Sequence, residues 1–395
     1  MDAFYASVEL LRYPELRGKP VVIGGGRRHQ PEEMTDPVSG QVTRKFATLR
    51  GYVGRGVITT ATYEARALGL HSAQGLMKAA QLAPDAILLP TDFDRYRDHS
   101  RRFKAAVQAI APQIEDRGID EIYIDLTGVR LPEHDTEVDA AGEAWWRARD
   151  VAKAIKESVR AETGLSCSIA VAPNKLLAKI SSELDKPDGL TMLAAGDIAA
   201  RIWPLAARKI NGIGPKASAR LEALGVRTIG ELAHSDPLRL IEHFGTSYGA
   251  WLHEAANGRD DRPVVTFSEP KSISRETTFE RDLHPARDRH LLSRIFTGLC
   301  VGVAGDLQHK GYVGRTIGLK LRYDDFKTVT RDQTIAAPTQ DAGAIRRAAG
   351  ECLKRVPLDR RIRLLGVRVG ALCIAEAAKG SAQASVQEPA TSLFD

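Results

Sequence analysis

The chain has 395 residues, of which 43% are hydrophobic and 27% are charged, with a formal net charge of +6. This length exceeds what one hydrophobic core usually supports and predicts roughly two to four domains. No apolar run approaches the roughly 20 residues that span a bilayer, and the N-terminus lacks a signal-peptide pattern. We therefore expect a cytoplasmic protein with no membrane partner, whose four widely spaced cysteines are reduced thiols and not zinc ligands.

The positive charge is concentrated toward the C-terminal end. Residues 267–375 contain 20 Lys and Arg against 12 Asp and Glu, a net of +8, which leaves −2 (+6 minus +8) for the rest of the chain. Neutralising backbone phosphates supplies most of the sequence-independent affinity for nucleic acids. The imbalance favours a module that binds a polyanion, and a solvated basic surface is the alternative.

In chain order, the first predicted strand is PVVIG at residues 20–24, followed by a long polar loop or insertion. Helices are predicted in TYEARALGL, in SAQGLMKAAQLAP and over residues 96–111, with the strand AILLP between the last two. An acidic strand at 117–127, a helix over about 138–162, the strand LSCSIAVAP and a helix beginning in NKLLAK follow. This alternation predicts an α+β sheet domain with helices on one face.

Short helices are predicted after residue 189, and the stretch NGRDDRPV has the composition of a tether between domains. From residue 272 onward, β-type runs alternate with helices predicted over 289–307 and 342–356. The last residues, AAKGSAQASVQEPATSLFD, have little apolar content, so we expect them to be disordered until they meet a partner.

Two adjacent carboxylates, Asp120 and Glu121, lie within the acidic strand RGIDEIYIDLT. Neighbouring side chains of a strand point to opposite faces, so at least one of the two charges should lie near a packed face. A lone buried carboxylate is costly without a cation or a hydrogen-bond donor. The pair therefore predicts a site that holds one or the other.

The stretch INGIGPKASARLEALGVRTIGELA, residues 210–233, is typical of a helix-hairpin-helix. Gly212 and Gly214 permit a tight turn whose amide groups point at a phosphate, and Lys216 follows where a helix begins. The pattern predicts DNA binding without base recognition, and a tight helical corner with no ligand is the alternative.

Three further patterns are weak when taken one at a time. Lys175 follows a strand at a helix start, where a phosphate is favoured, and Tyr63 and Arg66 share one helix face. Each also fits an ordinary surface or ion-paired residue. The adjacent aromatics Phe4 and Tyr5 fit a core residue beside a rim residue.

Taken together and in order, these motifs resemble those of the Y-family translesion DNA polymerases, within them the bacterial DNA polymerase IV (DinB) type. The motifs that carry the resemblance are MDAFYASVE, PELRGKPVVIGG, GVITTATYEAR, GIDEIYIDLT, APNKLLAKISSELDKPDGL, INGIGPKASARL and KSISRETTFERDL. It implies an α+β multidomain, right-hand polymerase with a ferredoxin-like palm, small fingers, a helical helix-hairpin-helix thumb and an α+β little finger. The implied boundaries are fingers 3–90 with an insertion at 27–54, palm 91–182, thumb 183–258, linker 259–266, little finger 267–375 and tail 376–395.

The resemblance also implies an active site. Asp120 and Glu121 would be catalytic and would hold two Mg²⁺ ions, for which oxygen ligands are suited. Tyr63, Arg66 and Lys175 would bind the nucleotide triphosphate, and Tyr5, beside Phe4, would be the steric gate against ribonucleotides. Gly212, Gly214 and Lys216 would contact DNA.

The implied activity is error-prone, template-directed DNA synthesis past damaged bases, by a monomer that uses primed template DNA and deoxynucleoside triphosphates. The C-terminal SLFD resembles the end of the peptide that docks on the bacterial sliding clamp, through Leu393 and Phe394. Ala390 replaces the Gln expected there, so this match is partial.

One departure from the family pattern concerns the metal site. Met1 and Asp2 match only the second half of an Asp-x-Asp motif whose first Asp bridges both metals. Asp2 would lie ~6.5–7 Å along the strand from that position, too far to replace it. We therefore expect a misassigned or truncated start, with the palm strand before residue 3 incomplete.

Two other functions are weighed against polymerase activity. A non-catalytic scaffold of the same family, binding DNA and the clamp, would explain the missing Asp but not the retained triphosphate-binding residues. A nucleotidyl cyclase with a similar sheet would need neither the helix-hairpin-helix nor the basic module.

Two smaller departures from the family pattern are Gly118, in place of a common Ser, and the long insertion at 27–54.

Overall fold

A computed structural model of the chain describes residues 1–26, 28–35, 42–129 and 140–376, with the side chains of 140–143 excepted. The chain divides into two compact units, Met1–Phe267 and Ser268–Asp395. The finer domain boundaries inferred from the sequence stay predictions. Within the described residues, no helix is both long enough and apolar enough to cross a membrane.

The first part of the first unit is built on a three-stranded sheet. Its elements are α1 Phe4–Arg12, β1 Val21–Gly24, β2 Glu32–Thr35, β3 Val42–Lys45, β4 Ile58–Ala61, α2 Tyr63–Ala67, α3 Leu76–Leu82 and β5 Ile87–Leu89. The sheet order is β4-β1-β5, with β1 antiparallel to β4 and parallel to β5. Val21, Val22 and Ile23 are completely buried, as expected for a continuous apolar strand covered on both faces.

The polar insertion is more ordered than the loop expected from its composition. Glu32–Thr35 and Val42–Lys45 pair as an antiparallel ribbon whose side chains are exposed. Because neither strand buries an apolar face, the sequence carries no alternating pattern that would have predicted it.

The middle of the first unit contains two separate pairs of strands. Its elements are α4 Phe93–Gln108, β6 Ile114–Asp116, β7 Ile122–Ile124, α5 Ala140–Thr163, β8 Ile169–Val171, α6 Lys175–Ser181 and β9 Leu190–Met192. β6 and β7 are antiparallel, and β8 and β9 are parallel. Phe103 and Val107 of α4 pack with Val151 and Ile155 of α5 in the core that supports these strands.

The prediction of an acidic strand over 117–127 is wrong in one respect. Only Ile122–Ile124 is a strand there, and Asp120 and Glu121 lie in the turn that precedes it. Both are half-buried. A turn exposes more side-chain surface than a packed strand, so these carboxylates avoid the desolvation cost that full burial would impose.

The last part of the first unit is helical. The 3₁₀ turn Ala195–Asp197, the short π-helix Ile198–Ile202 and the 3₁₀ turn Ala207–Lys209 lead into the helices, which are α7 Pro215–Ala223, α8 Ile229–Ala233, α9 Pro237–Phe244 and α10 Thr246–Ala256. The Thr228 hydroxyl caps α8 by accepting from the Glu231 N–H, and the Glu231 carboxylate accepts from the Thr228 N–H. α9 and α10 pack closely at Gly249, where a Cβ would lie 2.5 Å from the Leu240 carbonyl oxygen.

The second unit is a four-stranded antiparallel sheet with two helices. Its elements are β10 Ser272–Leu283, α11 Arg289–Lys310, β11 Tyr312–Tyr323, β12 Thr328–Thr339, α12 Ala342–Lys354 and β13 Ile362–Ile374. The strand order is β10-β13-β11-β12. Both helices pack on the strands and on each other around a separate core that includes Phe296, Leu319 and Val367.

Candidate active site

The turn that carries the acidic pair is held in place by short-range contacts. The Lys104 ammonium on α4 donates to Asp116 Oδ2 at 2.6 Å and to the Gly118 carbonyl at 2.7 Å. Within the turn, the Gly118 N–H donates to Asp116 Oδ1, and the Arg117 N–H donates to the Glu121 carbonyl. These bonds fix the backbone from which Asp120 and Glu121 project.

Asp120 and Glu121 lie on the wall of a cavity of about 1170 Å³ in the first unit. The Lys179 ammonium on α6 donates to Glu121 Oε2 at 2.8 Å. Burial opposes the charge on Lys179, but its bond to Glu121 raises its pKa above the ordinary value. The carboxylate of Glu121 is thus partly neutralised by a protein cation.

Asp2 has a structural role. Its buried carboxylate accepts hydrogen bonds from Ser166 Oγ at 2.9 Å, Ser168 Oγ at 2.7 Å and the Asp188 N–H at 2.9 Å. Three donors compensate the cost of burying this charge. Asp2 is therefore already engaged, in agreement with the expectation that it does not replace a metal-binding Asp.

The α-amino group of Met1 lies beside the acidic pair. It donates to the Asp120 carbonyl oxygen at 2.9 Å. Burial lowers the pKa of this amine, and the charge of Asp120 acts in the opposite direction. A group attached directly before Met1 would consequently lie next to Asp120.

The two aromatic residues at the start of α1 differ in burial. Phe4 is 2% exposed and packs edge-on against Phe103, whereas Tyr5 is half-buried, and both contribute atoms to the cavity wall. Burial raises the pKa of Tyr5, and the charge of Asp120 raises it further, so the hydroxyl stays neutral. The expected arrangement of a core residue beside a rim residue is what the structure contains.

Tyr63 and Arg66 lie together on α2, as their spacing predicts. The Arg66 guanidinium lines the cavity and lies 4.9 Å from the centroid of the Tyr63 ring. The Tyr63 hydroxyl is buried and has no hydrogen-bond partner within the part of the chain that the structure describes. Burial raises the pKa of Tyr63 to about 12. A buried donor without a partner is costly.

Lys175 is at the start of α6, as expected, but its ammonium has other partners. It donates to Glu115 Oε2 at 2.6 Å and to the Pro263 carbonyl at 2.7 Å. The side chains of Lys175 and Glu115 are 10% and 9% exposed. Lys175 contributes atoms to the cavity wall, yet its charge is already neutralised there.

Sequence reasoning missed several charged residues of the cavity wall, among them Lys179, Glu183 and Lys186. The Lys186 ammonium donates to Glu183 Oε1 at 2.7 Å, and Glu183 lies 3.9 Å from Lys179. The spacing of Lys175 and Lys179, four apart on one helix, was the available signal, because it places both on one face.

The glycine-rich turn before α7 fits the predicted hairpin. Gly212 has φ +117°, and a Cβ there would lie 2.7 Å from the Trp251 ring, so only glycine fits. Gly214 is the N-cap of α7, and Lys216 is exposed in the first turn of that helix. A single 3₁₀ turn, Ala207–Lys209, stands where the first helix of the hairpin was expected.

The carboxylates of Asp120 and Glu121 could also be ligands of a metal ion. Across the described ranges, no group of three His, Cys, Asp or Glu side chains is arranged to hold a metal ion. Mg²⁺ needs fewer protein ligands, since one or two carboxylates suffice when waters and substrate phosphates complete the shell. Asp120 and Glu121 fit that requirement.

Leu393 and Phe394, which were expected to bind the sliding clamp, lie outside the described residues.

The chain is similar to known proteins along most of its length. Residues 1–183 match the impB/mucB/samB family, and residues 270–386 match the C-terminal domain of that family. The chain is 39% identical to DNA polymerase IV of Alkalilimnicola ehrlichii, across 94% of this chain and 93% of the relative. It is 36% identical to DNA polymerase IV of Streptomyces coelicolor, across 99% of this chain and 75% of the relative.

Solved structures are similar in fold. A Y-family DNA polymerase chimera matches with a TM-score of 0.75 and 24% identity, over 95% of this chain and 98% of the other. An insertion ternary complex of Dbh DNA polymerase matches with a TM-score of 0.61 and 23% identity, over 95% and 98%. The expected α+β multidomain polymerase fold is thereby confirmed. The chain belongs to the Y family of DNA polymerases, of the DNA polymerase IV type.

Proposed function

We propose that the chain performs error-prone, template-directed DNA synthesis, adding deoxynucleotides to a primer at the turn that carries Asp120 and Glu121. The observation that carries this proposal is that the acidic pair and Arg66 lie on the wall of one cavity of a Y-family chain, with the partnerless Tyr63 hydroxyl on the residue that stacks against Arg66. Nucleotidyl transfer needs a charged nucleotide to be held beside acidic metal ligands, and these groups supply both.

The carboxylates of Asp120 and Glu121 would hold two Mg²⁺ ions. When bound, such ions lower the pKa of the attacking hydroxyl and neutralise charge on the leaving group. Lys179 competes for Glu121 through its 2.8 Å ion pair, so it holds this carboxylate in position before ions arrive. A scaffold without catalysis would need neither the acidic pair nor the lysine that holds Glu121. The scaffold is therefore only one outcome of the test below.

The nucleotide triphosphate would be bound by Tyr63 and Arg66. The Tyr63 hydroxyl, which has no partner among the described residues of the unliganded protein, would donate to a phosphate oxygen when a nucleotide binds, and Arg66, on the cavity wall, would supply charge. Lys186 also lies on the cavity wall and is a further candidate for this set; its ammonium is paired with Glu183, whereas Lys175 is bound to Glu115 and the Pro263 carbonyl. Tyr5 would exclude the 2′-hydroxyl of a ribonucleotide.

The DNA would be held at backbone phosphates. Gly212 and Gly214 shape the turn before α7, and we propose that the amide groups of this turn and the exposed Lys216 contact phosphates. We further propose that the protein acts as a monomer in the cytoplasm and is recruited by the sliding clamp through Leu393 and Phe394.

The test is extension of a primed DNA template with Mg²⁺ and four deoxynucleotides, with DNA binding measured in parallel. We expect extension by the chain and a loss of about a hundredfold or more in Asp120→Asn and Glu121→Gln. Asp98→Asn, which removes an exposed carboxylate on α4, is the matched control and should extend normally. Normal DNA binding without extension by the unchanged chain would leave two alternatives, the scaffold and a metal site that lacks its first Asp; adding an upstream strand that ends in Asp should restore extension only in the second.

A further inference from the structure

The segment expected to be a free tether, residues 259–266, is bound to the first unit at several points. The Asn174 amide donates to the Gly258 carbonyl at 2.8 Å, at the start of the segment. Asp260 Oδ2 accepts from the Leu176 N–H at 3.0 Å, so this carboxylate also satisfies a free amide at the start of α6. The segment has no regular secondary structure, yet its polar backbone is fixed by side chains.

The strongest attachment is the buried pair of Glu115 and Lys175. Lys175 Nζ lies 2.6 Å from Glu115 Oε2 and also donates to the Pro263 carbonyl at 2.7 Å. The same Glu115 oxygen accepts from the Val265 N–H at 2.9 Å. Counted over the whole residue, backbone included, Glu115 is 7% exposed and Lys175 is 9% exposed. Both members of this ion pair are therefore hydrogen-bonded to the backbone of the segment.

These attachments join the segment to the two elements that carry the acidic site. Glu115 is on β6 and faces Tyr123 of β7, the strand that begins directly after Glu121. Lys175 begins α6, whose Lys179 is bonded to Glu121 one turn later. A buried charge pair is a poor source of net stability, but it is specific in geometry because each charge must keep its partner.

We propose that Lys175 and Glu115 are positioning residues, which dock residues 260–265 on the first unit and so fix the point where the chain leaves it. Lys175 then acts through the segment and does not bind the nucleotide. Because the second unit carries most of the net positive charge, freeing its attachment weakens the grip on primer-template DNA. The affinity for the incoming nucleotide is unchanged.

The experiment uses the full chain with Lys175→Met and Glu115→Leu combined. Replacing both members with apolar residues avoids leaving one buried charge unpaired, and circular dichroism checks the fold. Asp260→Asn loosens the other end of the segment without touching the pair. Lys153→Met, at an exposed lysine on α5, is the control.

The first readout is hydrogen exchange, which does not depend on catalysis. We expect the Val265 amide to exchange about tenfold faster or more in the double variant and unchanged in the control. The second readout rests on the proposed function. We expect the Kd for primer-template to rise about fivefold or more while the KM for deoxynucleotide at saturating DNA stays within about twofold.

Two results would overturn the proposal. Unchanged exchange at Val265 would mean that the pair does not hold the segment. A raised KM for deoxynucleotide with unchanged Kd for DNA would make Lys175 a nucleotide ligand. If the unchanged chain extends no primer, the polymerase proposal fails alone, since exchange and DNA affinity still test the docking.

Discussion

The rings of Tyr5 and Tyr96 are stacked, with centroids 4.3 Å apart and planes 16° from parallel. Tyr96 is fully buried, and its hydroxyl donates to Glu9 Oε1 at 2.6 Å. Phe93 meets the Tyr5 ring edge-on at 5.8 Å. Because these neighbours restrict the Tyr5 ring, its position at the cavity wall is well defined.

We expect Tyr5→Ala to admit ribonucleotides. Removing the ring opens the space that a 2′-hydroxyl needs, so the efficiency of ribonucleotide relative to deoxynucleotide insertion should rise about a hundredfold. Single-nucleotide insertion kinetics measure this ratio. Tyr5→Phe keeps the ring and should keep the selectivity. A similar ratio in Tyr5→Ala and the unchanged chain would remove Tyr5 from this role.

We expect Tyr63→Phe to weaken nucleotide binding without weakening the fold. A hydrogen bond to a charged group is worth about 1.5–3 kcal/mol, so the KM for deoxynucleotide should rise about tenfold or more. The unliganded protein loses only a hydroxyl that had no partner, so its free energy of unfolding should stay the same or rise slightly. Steady-state kinetics and urea unfolding measure the two effects. A destabilised variant with normal KM would contradict the assignment.

The stability contributed by Glu115 should depend on pH. Burial opposes its ionisation, but the hydrogen bonds from Lys175 and the Val265 N–H prevail and lower its pKa below 4.5. The contribution is therefore complete above the unfolded-state pKa and is lost as the pH falls through the lower folded-state value.

Glu115→Gln should be less stable than the unchanged chain by about 3 kcal/mol near neutral pH, with the difference shrinking below about pH 4.5. Urea unfolding followed by tryptophan fluorescence reports on the first unit alone, since Trp145, Trp146, Trp203 and Trp251 all belong to it. Glu64→Gln, at an exposed residue, is the control. A difference independent of pH would argue against an ionised Glu115.

An added N-terminal strand should raise the polymerase rate if it ends in Asp. The Met1 amine lies 2.9 Å from the Asp120 carbonyl, so a residue placed directly before Met1 would lie near the backbone of the acidic pair, and we expect the carboxylate of an added Asp to join that pair. We expect kcat to rise about a hundredfold with an apolar extension ending in Asp. The same extension ending in Asn is the control, because it adds the strand without the carboxylate. Equal rates with both extensions would exclude a role for the added carboxylate.

The sequence predicted elements whose pattern is local. Val21–Gly24 reads as a buried strand because its residues are all apolar, and α5 was expected within two residues of its observed bounds. Tyr63 and Arg66 were predicted to share a face because helical spacing alone determines it. The family followed from the order of the motifs.

The partners of buried charges could not be predicted in the same way. Glu115 and Lys175 are 60 residues apart, and Asp2 and Ser166 are 164 apart, so their pairing depends on the tertiary fold. The sequence alone therefore predicts that Lys175 is available to a phosphate, whereas the fold pairs it with Glu115. The acidic pair was placed inside a strand because apolar neighbours surround it, but a three-residue strand is too short to establish a period.

The position of β13 in the second unit has a consequence for biosynthesis. β13 is the last strand of the sheet along the chain, yet it lies between β10 and β11 and is the sole link between them among the described strands. During translation, β10 and the β11–β12 hairpin emerge first but cannot join until Ile362–Ile374 has left the ribosome. A ribosome that stalls before this point would release a chain whose second unit has a sheet divided in two, with unpaired edges open to aggregation.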